Sequence, residues 1–273
     1  MKNVVLKKYE QRSDKAGSML CVGLDPEFDR IPKRFHRFKL PLFEFCKWII
    51  EQTSEFAAAY KPNTAFFEAR GSLGIRELEA TAELLRTQYP EWLTICDAKR
   101  GDIAHTNRGY VAAIFDHLGF DAVTLSPYLG KDALEPFLER RDKVCILLCR
   151  TSNPGAGGFQ DLHVDGCPLW QVVAEQVSRH WNHNHNCMLV TGATWPREMR
   201  SIRCIAPDLT FLVPGIGAQG GDVTQLVRAG LDSRGKGLIF SASRSILFSD
   251  DPAEAARTAR DEIQAARKAA KDE

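Results

Sequence analysis

Eight short apolar runs, each followed by a longer stretch with helical spacing, restrict this chain to few architectures. The runs are Met19–Gly23, Ala57–Lys61, Leu93–Ala98, Ala122–Leu125, Val144–Cys149, Cys187–Val190, Thr210–Val213 and Gly237–Ser241. Most are near-continuously apolar, as expected of parallel strands covered on both faces. Among the intervening stretches, Leu42–Phe56 is amphipathic and Ile75–Tyr89 is rich in Glu, Leu and Ala. Asp102–Leu118 aligns Ile103, Tyr110, Val111, Ile114 and Leu118 on one stripe. Lys131–Arg140, Pro168–Trp181, Trp195–Arg203, Gly221–Ala229 and the Ala-rich Pro252–Ala269 complete the helical set. Eight such units in 273 residues predict an α/β chain closed into one (β/α)8 TIM barrel, a single domain over residues 1–273. The rival is an open doubly wound sheet, weakened by the lack of a G-x-G-x-x-G turn after the first run. The Gly/Pro-rich stretch Thr151–Cys167 is longer than a usual strand-to-helix loop and reads as a candidate lid.

Composition narrows the partners. Lys and Arg number 36 against 35 Asp and Glu, so no bulk basic field favours nucleic acid or a membrane surface, and any anion site must be local. The first residues, MKNVVLKKYEQRSDK, lack the apolar core of a signal peptide, and no apolar run has the length of a membrane span. The expectation is a cytoplasmic protein. Of the 8 cysteines, Cys21, Cys96, Cys145, Cys149 and Cys187 fall inside the apolar runs and no C-x-x-C pair occurs, so they read as buried reduced thiols. The His180–Cys187 stretch fits no standard zinc spacing and reads as a polar loop; no metal is expected.

In parallel barrels the chemistry sits where strands end, so the residues there carry the functional reading. The first run leads to Asp25 and the second to Lys61. The third ends in Asp97-Ala98-Lys99-Arg100-Gly101-Asp102-Ile103. Residues two apart share a strand face, so Asp97 and Lys99 point together and Lys61 can join them from the neighbouring strand. Buried charge must be compensated, and alternating Lys and Asp does this, either as a working site or as a structural network closing the barrel. Asp102 opens a helix, with Thr106 one turn on; alone it is also explained as a helix-terminal carboxylate. The seventh run leads into Pro214-Gly215-Ile216-Gly217-Ala218-Gln219-Gly220-Gly221-Asp222, and Arg244 follows the eighth. Glycines let backbone N–H groups approach an anion, and arginine grips phosphate oxygens bidentately, although a Gly-rich turn by itself is weak evidence.

These motifs are similar to those of the orotidine 5′-phosphate decarboxylases, and the chain resembles the longer bacterial-type branch, type 2, over nearly its whole length. The resemblance rests on Gly23-Leu24-Asp25-Pro26, Lys61-Pro62-Asn63, the Asp97–Ile103 motif, the Pro214–Asp222 loop and Ser241-Ala242-Ser243-Arg244. It implies decarboxylation of orotidine 5′-monophosphate without metal or organic cofactor. It also implies a role for each candidate. Asp25 and Lys61 would bind the ribose, with Lys61 also holding Asp97. Asp97 would face the substrate carboxylate, and Lys99 would give a proton to C6. Asp102 and Thr106 would complete the site of a partner subunit in a homodimer. Ser152 would bond the pyrimidine, Pro214 would pack near it, and Gln219 and Arg244 would hold the phosphate.

A vinylic carbanion has little resonance help, so a cofactor-free site must stabilise it electrostatically, and a lysine ammonium suits that task. Three rivals remain open at this stage. A Mg²⁺-dependent sugar-phosphate lyase would need oxygen ligands where Lys61 stands. A Schiff-base aldolase would need a neutral lysine, which flanking carboxylates oppose. A non-catalytic nucleotide binder would need the phosphate loops but not the Lys/Asp cluster.

Overall fold

The computed structural model describes residues 3–216 and 222–271. The chain begins with helix α1 (Val4–Ala16), then β1 (Leu20–Leu24), α2 (Pro41–Thr53), β2 (Ala59–Pro62), α3 (Thr64–Glu68) and α4 (Gly71–Gln88). Next come β3 (Leu93–Arg100), α5 (Ala104–Val111), β4 (Ala122–Leu125), α6 (Lys131–Leu138) and β5 (Val144–Arg150). A short α7 (Gly157–Gln160) and an antiparallel pair, β6 (His163–Val164) and β7 (Cys167–Pro168), precede α8 (Leu169–Gln176). The remainder is β8 (Cys187–Thr191), α9 (Pro196–Ile205), β9 (Phe211–Pro214), α10 (Val223–Gly230), β10 (Leu238–Ala242), α11 (Arg244–Leu247) and α12 (Pro252–Ala269).

Eight of these strands close a parallel barrel in the order β1-β10-β9-β8-β5-β4-β3-β2. The expected (β/α)8 barrel is therefore what the chain adopts, and strand alternation divides its core in two. Outward residues such as Leu20, Val22, Leu24 and Tyr60 pack beneath the helices. Inward residues such as Cys21, Ala59, Ile95, Ala122, Ile146 and Met188 fill the barrel, and Val5, Leu6 and Tyr9 of α1 belong to that same inner cluster. Helix α1 thus plugs the end where strands begin. Tyr9 Oη donates 2.6 Å to the carbonyl of Leu238, the first residue of β10, and Arg12 donates to the carbonyls of Ala57 and Ser54. The opposite end, where strands finish, is left for chemistry.

Several expectations are refined. The helix expected from Asp102 begins at Ala104 and passes into a π-helical segment, Ala112–His117, and α8 likewise continues as a π-helix over Val177–Trp181. The Thr151–Cys167 stretch is folded rather than structureless. Buried Arg150, at the end of β5, donates 3.1 Å to Asp161 and 3.2 Å to Gln160 of this stretch, with its guanidinium 4.0 Å from the Trp195 ring. Trp195 Nε1 in turn donates to the Thr151 carbonyl. All eight cysteines are unpaired, with Cys167 and Cys204 exposed and the rest buried, in keeping with the thiol reading. Among the described residues no group of His, Cys, Asp and Glu is arranged to hold a metal, and no helix is long and apolar enough to cross a membrane.

Candidate active site

At the top of the barrel the inward positions change from apolar to charged. On β2, Ala59 is followed two residues on by Lys61, and on β3, Ile95 is followed by Asp97. The two strands pair Tyr60 with Thr94 and Asn63 with Asp97, so Lys61 reaches Asp97 diagonally across them: Lys61 Nζ donates 2.6 Å to Asp97 Oδ2. Lys99 Nζ donates 2.7 Å to the other oxygen, Oδ1. One carboxylate therefore holds two ammonium groups, one per oxygen. The pair it forms with Lys61 is buried, with side chains 7% and 10% exposed, whereas the Lys99 side chain is 51% exposed at the mouth.

Burial alone opposes charge on Lys61, but Asp97 and Asp25 outweigh it and raise the pKa of the ammonium above its usual value. Burial likewise opposes charge on Asp97, and Lys61 and Lys99 overcome it, holding the carboxyl well below the usual carboxylate range. Both groups are charged at neutral pH. With Asp25 beside Lys61, two cations face two anions, and the exposed member of the cluster is the Lys99 ammonium, placed to meet an anionic ligand or a developing negative charge.

Lys99 reaches Asp97 by a different route from simple strand alternation. Its φ is +48°, a left-handed conformation that costs a non-glycine residue about 1–2 kcal/mol. The β3–β4 pairing runs Cys96 with Val123 and resumes only at Arg100 with Leu125, so residues 97–99 bulge out of register. Thr124 on β4 sits in this gap. Its hydroxyl donates 2.9 Å to Asp97 Oδ1 and accepts 3.0 Å from the Lys99 amide. The sequence reading missed Thr124. Its signal was a polar residue in the inward phase of an apolar strand, two residues after Ala122.

The other candidates fall into three groups. Asp25 follows β1 beside Lys61, and its Oδ1 is buried with no hydrogen-bond partner among the described residues, as is Ser243 Oγ after β10. Gly23 permits that approach: a β-carbon there would stand 2.9 Å from Ser243 Cβ. Ser152 and Pro214 are half-buried at the ends of β5 and β9, and Ser152 packs so closely on Gly192 that a β-carbon there would lie 2.8 Å from its own. Exposed Arg244 opens α11. Gln219 lies outside the described residues.

Asp102 and Thr106 form the third group, and the structure does not bring them into the cluster within one chain. The Asp102 carboxylate accepts 2.7 Å from the Ile103 amide and, among the described residues, makes no bond to Asp97 or Lys99. Of the three charges in the Asp97–Asp102 motif that share one turn of sequence, Asp97, Lys99 and Asp102, the single chain therefore brings only Asp97 and Lys99 together, because the segment after Lys99 turns away before α5 begins. Its turn is fixed by fully buried Asn107, which accepts from the Asp102 amide and donates 2.6 Å to the Asp102 carbonyl and 2.6 Å to that of Ala133. Thr106, like Ile103, points to solvent.

Comparison with known proteins gives a consistent result. Residues 18–259 match the family described as Orotidine 5'-phosphate decarboxylase / HUMPS family. The orotidine 5'-phosphate decarboxylase of Cellvibrio japonicus is 49% identical over 88% of this chain and 89% of its own length. Among solved structures, a putative orotidine-monophosphate-decarboxylase from Toxoplasma gondii superposes with a TM-score of 0.90 at 35% identity, covering 98% of each chain. UMP synthase of Leishmania donovani superposes with a TM-score of 0.89 at 41% identity; 98% of this chain is covered and it spans 57% of that longer one.

Proposed function

The chain belongs to the orotidine 5′-phosphate decarboxylase family, and we propose that it converts orotidine 5′-monophosphate to uridine 5′-monophosphate and CO₂ in cytoplasmic pyrimidine synthesis, with its own side chains as the only catalytic groups. The observation that carries this reading is Asp97 held between a buried lysine and an exposed one.

In this reading the substrate carboxylate lies beside Asp97, with Lys99 next to C6. The C6–carboxylate bond breaks, its electron pair stays on C6, and CO₂ leaves. The Lys99 ammonium offsets the growing negative charge as it forms, in a site whose charges are already oriented. Lys99 then passes a proton to C6 and takes another from water. Repulsion between Asp97 and the substrate carboxylate is relieved as CO₂ departs.

The surrounding residues bind and orient. Asp25, whose buried Oδ1 has no partner among the described residues, accepts from a ribose hydroxyl, alongside Lys61. Ser152 bonds the pyrimidine and Pro214 packs near it. Arg244, with Gln219, grips the phosphate, and this remote binding energy helps close the mouth and expel water. Asp102 and Thr106 serve the site of a second copy of the chain, so the working unit is a homodimer; the exposure of Thr106 and the partial exposure of Asp102 at the entry to α5 support that placement. Lys61 stands where a divalent cation would need an oxygen ligand, which argues against a magnesium-dependent reaction.

The test is to add orotidine 5′-monophosphate to EDTA-treated protein and follow its ultraviolet absorbance. The expected result is full conversion to uridine 5′-monophosphate. Absence of turnover, or turnover that returns only with added Mg²⁺, contradicts the reading. Sharing of sites is checked by mixing inactive Lys99→Ala and Asp102→Ala chains: hybrid dimers are expected to regain one intact site, and no recovery contradicts the shared arrangement.

A further inference from the structure

We infer that the Thr124 hydroxyl is a positioning group for the reaction, tying the Asp97 carboxylate to the Lys99 backbone and thereby setting where the Lys99 ammonium stands. The inference rests on the reading of Lys99 as proton donor.

Three hydrogen bonds and the Lys99 chain itself form a closed ring. The Lys99 amide donates to Thr124 Oγ1, Thr124 Oγ1 donates to Asp97 Oδ1, and Lys99 Nζ returns to that same Oδ1. The covalent chain of Lys99 supplies the remaining side. Both ends of Lys99, amide and ammonium, are thus fixed to one pair of atoms. The hydroxyl has one proton to give and lone pairs to receive with, and both capacities are used in the directions the ring requires.

The position asks for no such group on packing grounds. Thr124 is 2% exposed and faces inward, one layer above Ala122, and its register partner on β5 is the aliphatic Ile146. A β-branched apolar side chain fills the same space. What valine lacks is an acceptor for the Lys99 amide, which the out-of-register bulge directs to Thr124 Oγ1. An inward-facing backbone N–H without a partner is costly, so the bulge would re-form around another acceptor. The left-handed conformation at Lys99 (φ +48°) would no longer be held, and the ammonium would move with it. A donor displaced by about 1 Å can cost on the order of 100-fold in rate.

The experiment compares Thr124→Ser, Thr124→Val and Thr124→Ala, with Lys99→Ala as reference. It measures kcat and KM for orotidine 5′-monophosphate, affinity for uridine 5′-monophosphate, and the thermal midpoint. Ser keeps the hydroxyl without the methyl, Val keeps shape without the hydroxyl, and Ala keeps neither. If the hydroxyl positions Lys99, Val and Ala lose roughly 10- to 100-fold in kcat while product affinity stays within about threefold, and Ser stays near the parent. A parent-like kcat in Val, or a loss in Ser as deep as in Ala, overturns the inference. Should Val fail to fold, the Ser and Ala pair decides alone. The reference separates the two levels. An active Lys99→Ala variant faults the proton-donor reading itself. An inactive one beside a fully active Thr124→Val faults only the role of Thr124.

Discussion

The two ends of the barrel are built from the same strands and have opposite chemistry. Where the strands begin, the inner layer is apolar, and α1 seals it with Val5, Leu6 and Tyr9. Tyr9 Oη there is matched by the Leu238 carbonyl, while Trp92 Nε1, just before β3, has no described partner. Where the strands finish, the next inward positions are Lys61, Asp97 and Lys99, and buried oxygens of Asp25 and Ser243 have no described partner. One end is sealed by apolar packing, while the other gathers charged groups and unpartnered oxygens around an opening. The difference teaches which end bears on stability alone and which holds groups aimed at a reaction.

Substitutions that sharpen this contrast differ in size. The largest combined effect is expected from Asp97→Ala, which leaves Lys61 buried without its anion. Turnover should be lost and stability should fall by about 3–5 kcal/mol, measured by urea unfolding. The pH dependence follows from the same pair. The Asp97 pKa is depressed, so its contribution is complete above the unfolded value near pH 4 and is lost as pH falls toward the folded one. The Lys61 pKa is raised, so its contribution is complete below about pH 10.4 and is lost only as pH rises through the folded value. The thermal midpoint of the parent is therefore expected to exceed that of Asp97→Ala by a constant margin between these limits and to converge with it in acid. A margin that persists at the lowest pH contradicts the ion-pair account.

Arg244→Ala comes next. Losing a charge-assisted grip worth about 1.5–3 kcal/mol should lower kcat/KM by roughly 10- to 100-fold, with partial recovery on adding free phosphite dianion. A small change without recovery removes Arg244 from phosphate binding. The smallest effect belongs to the sealed end. Tyr9→Phe deletes the bond to Leu238 and should cost about 1 kcal/mol of stability at unchanged kcat. A drop in kcat larger than the stability loss explains would show that the two ends are not independent.

Much of the barrel was legible because fully covered parallel strands are written as apolar runs. Ala122–Leu125 is identical in sequence reading and structure, and the run expected at Leu93–Ala98 extends two residues further, to Arg100. Helix α1 was not legible as an element, since it precedes the first strand and its mixed polar residues were read only for targeting. The insertion after β5 was read as a lid loop because its elements are too short for any periodicity; its order comes from a tertiary contact, the buried Arg150 guanidinium with Asp161 and Trp195. At the site, Lys61 meeting Asp97 followed from strand phase alone. The left-handed backbone at Lys99 did not, because nothing in a lysine announces positive φ, and it is imposed by a bulge that only the β4 partner reveals. Asp102 lies in the same short motif as Asp97 and Lys99, but that spacing carries no information on the Asn107 clamp that turns the chain away.

The central claim is that the exposed ammonium on Asp97 does the chemistry. Single-turnover decarboxylation of orotidine 5′-monophosphate by purified Lys99→Ala tests it, with uridine 5′-monophosphate affinity measured on the same sample. The account expects the rate to fall by ~10³-fold or more while the fold and the product affinity are kept. A variant that still turns over within about tenfold of the parent would contradict it.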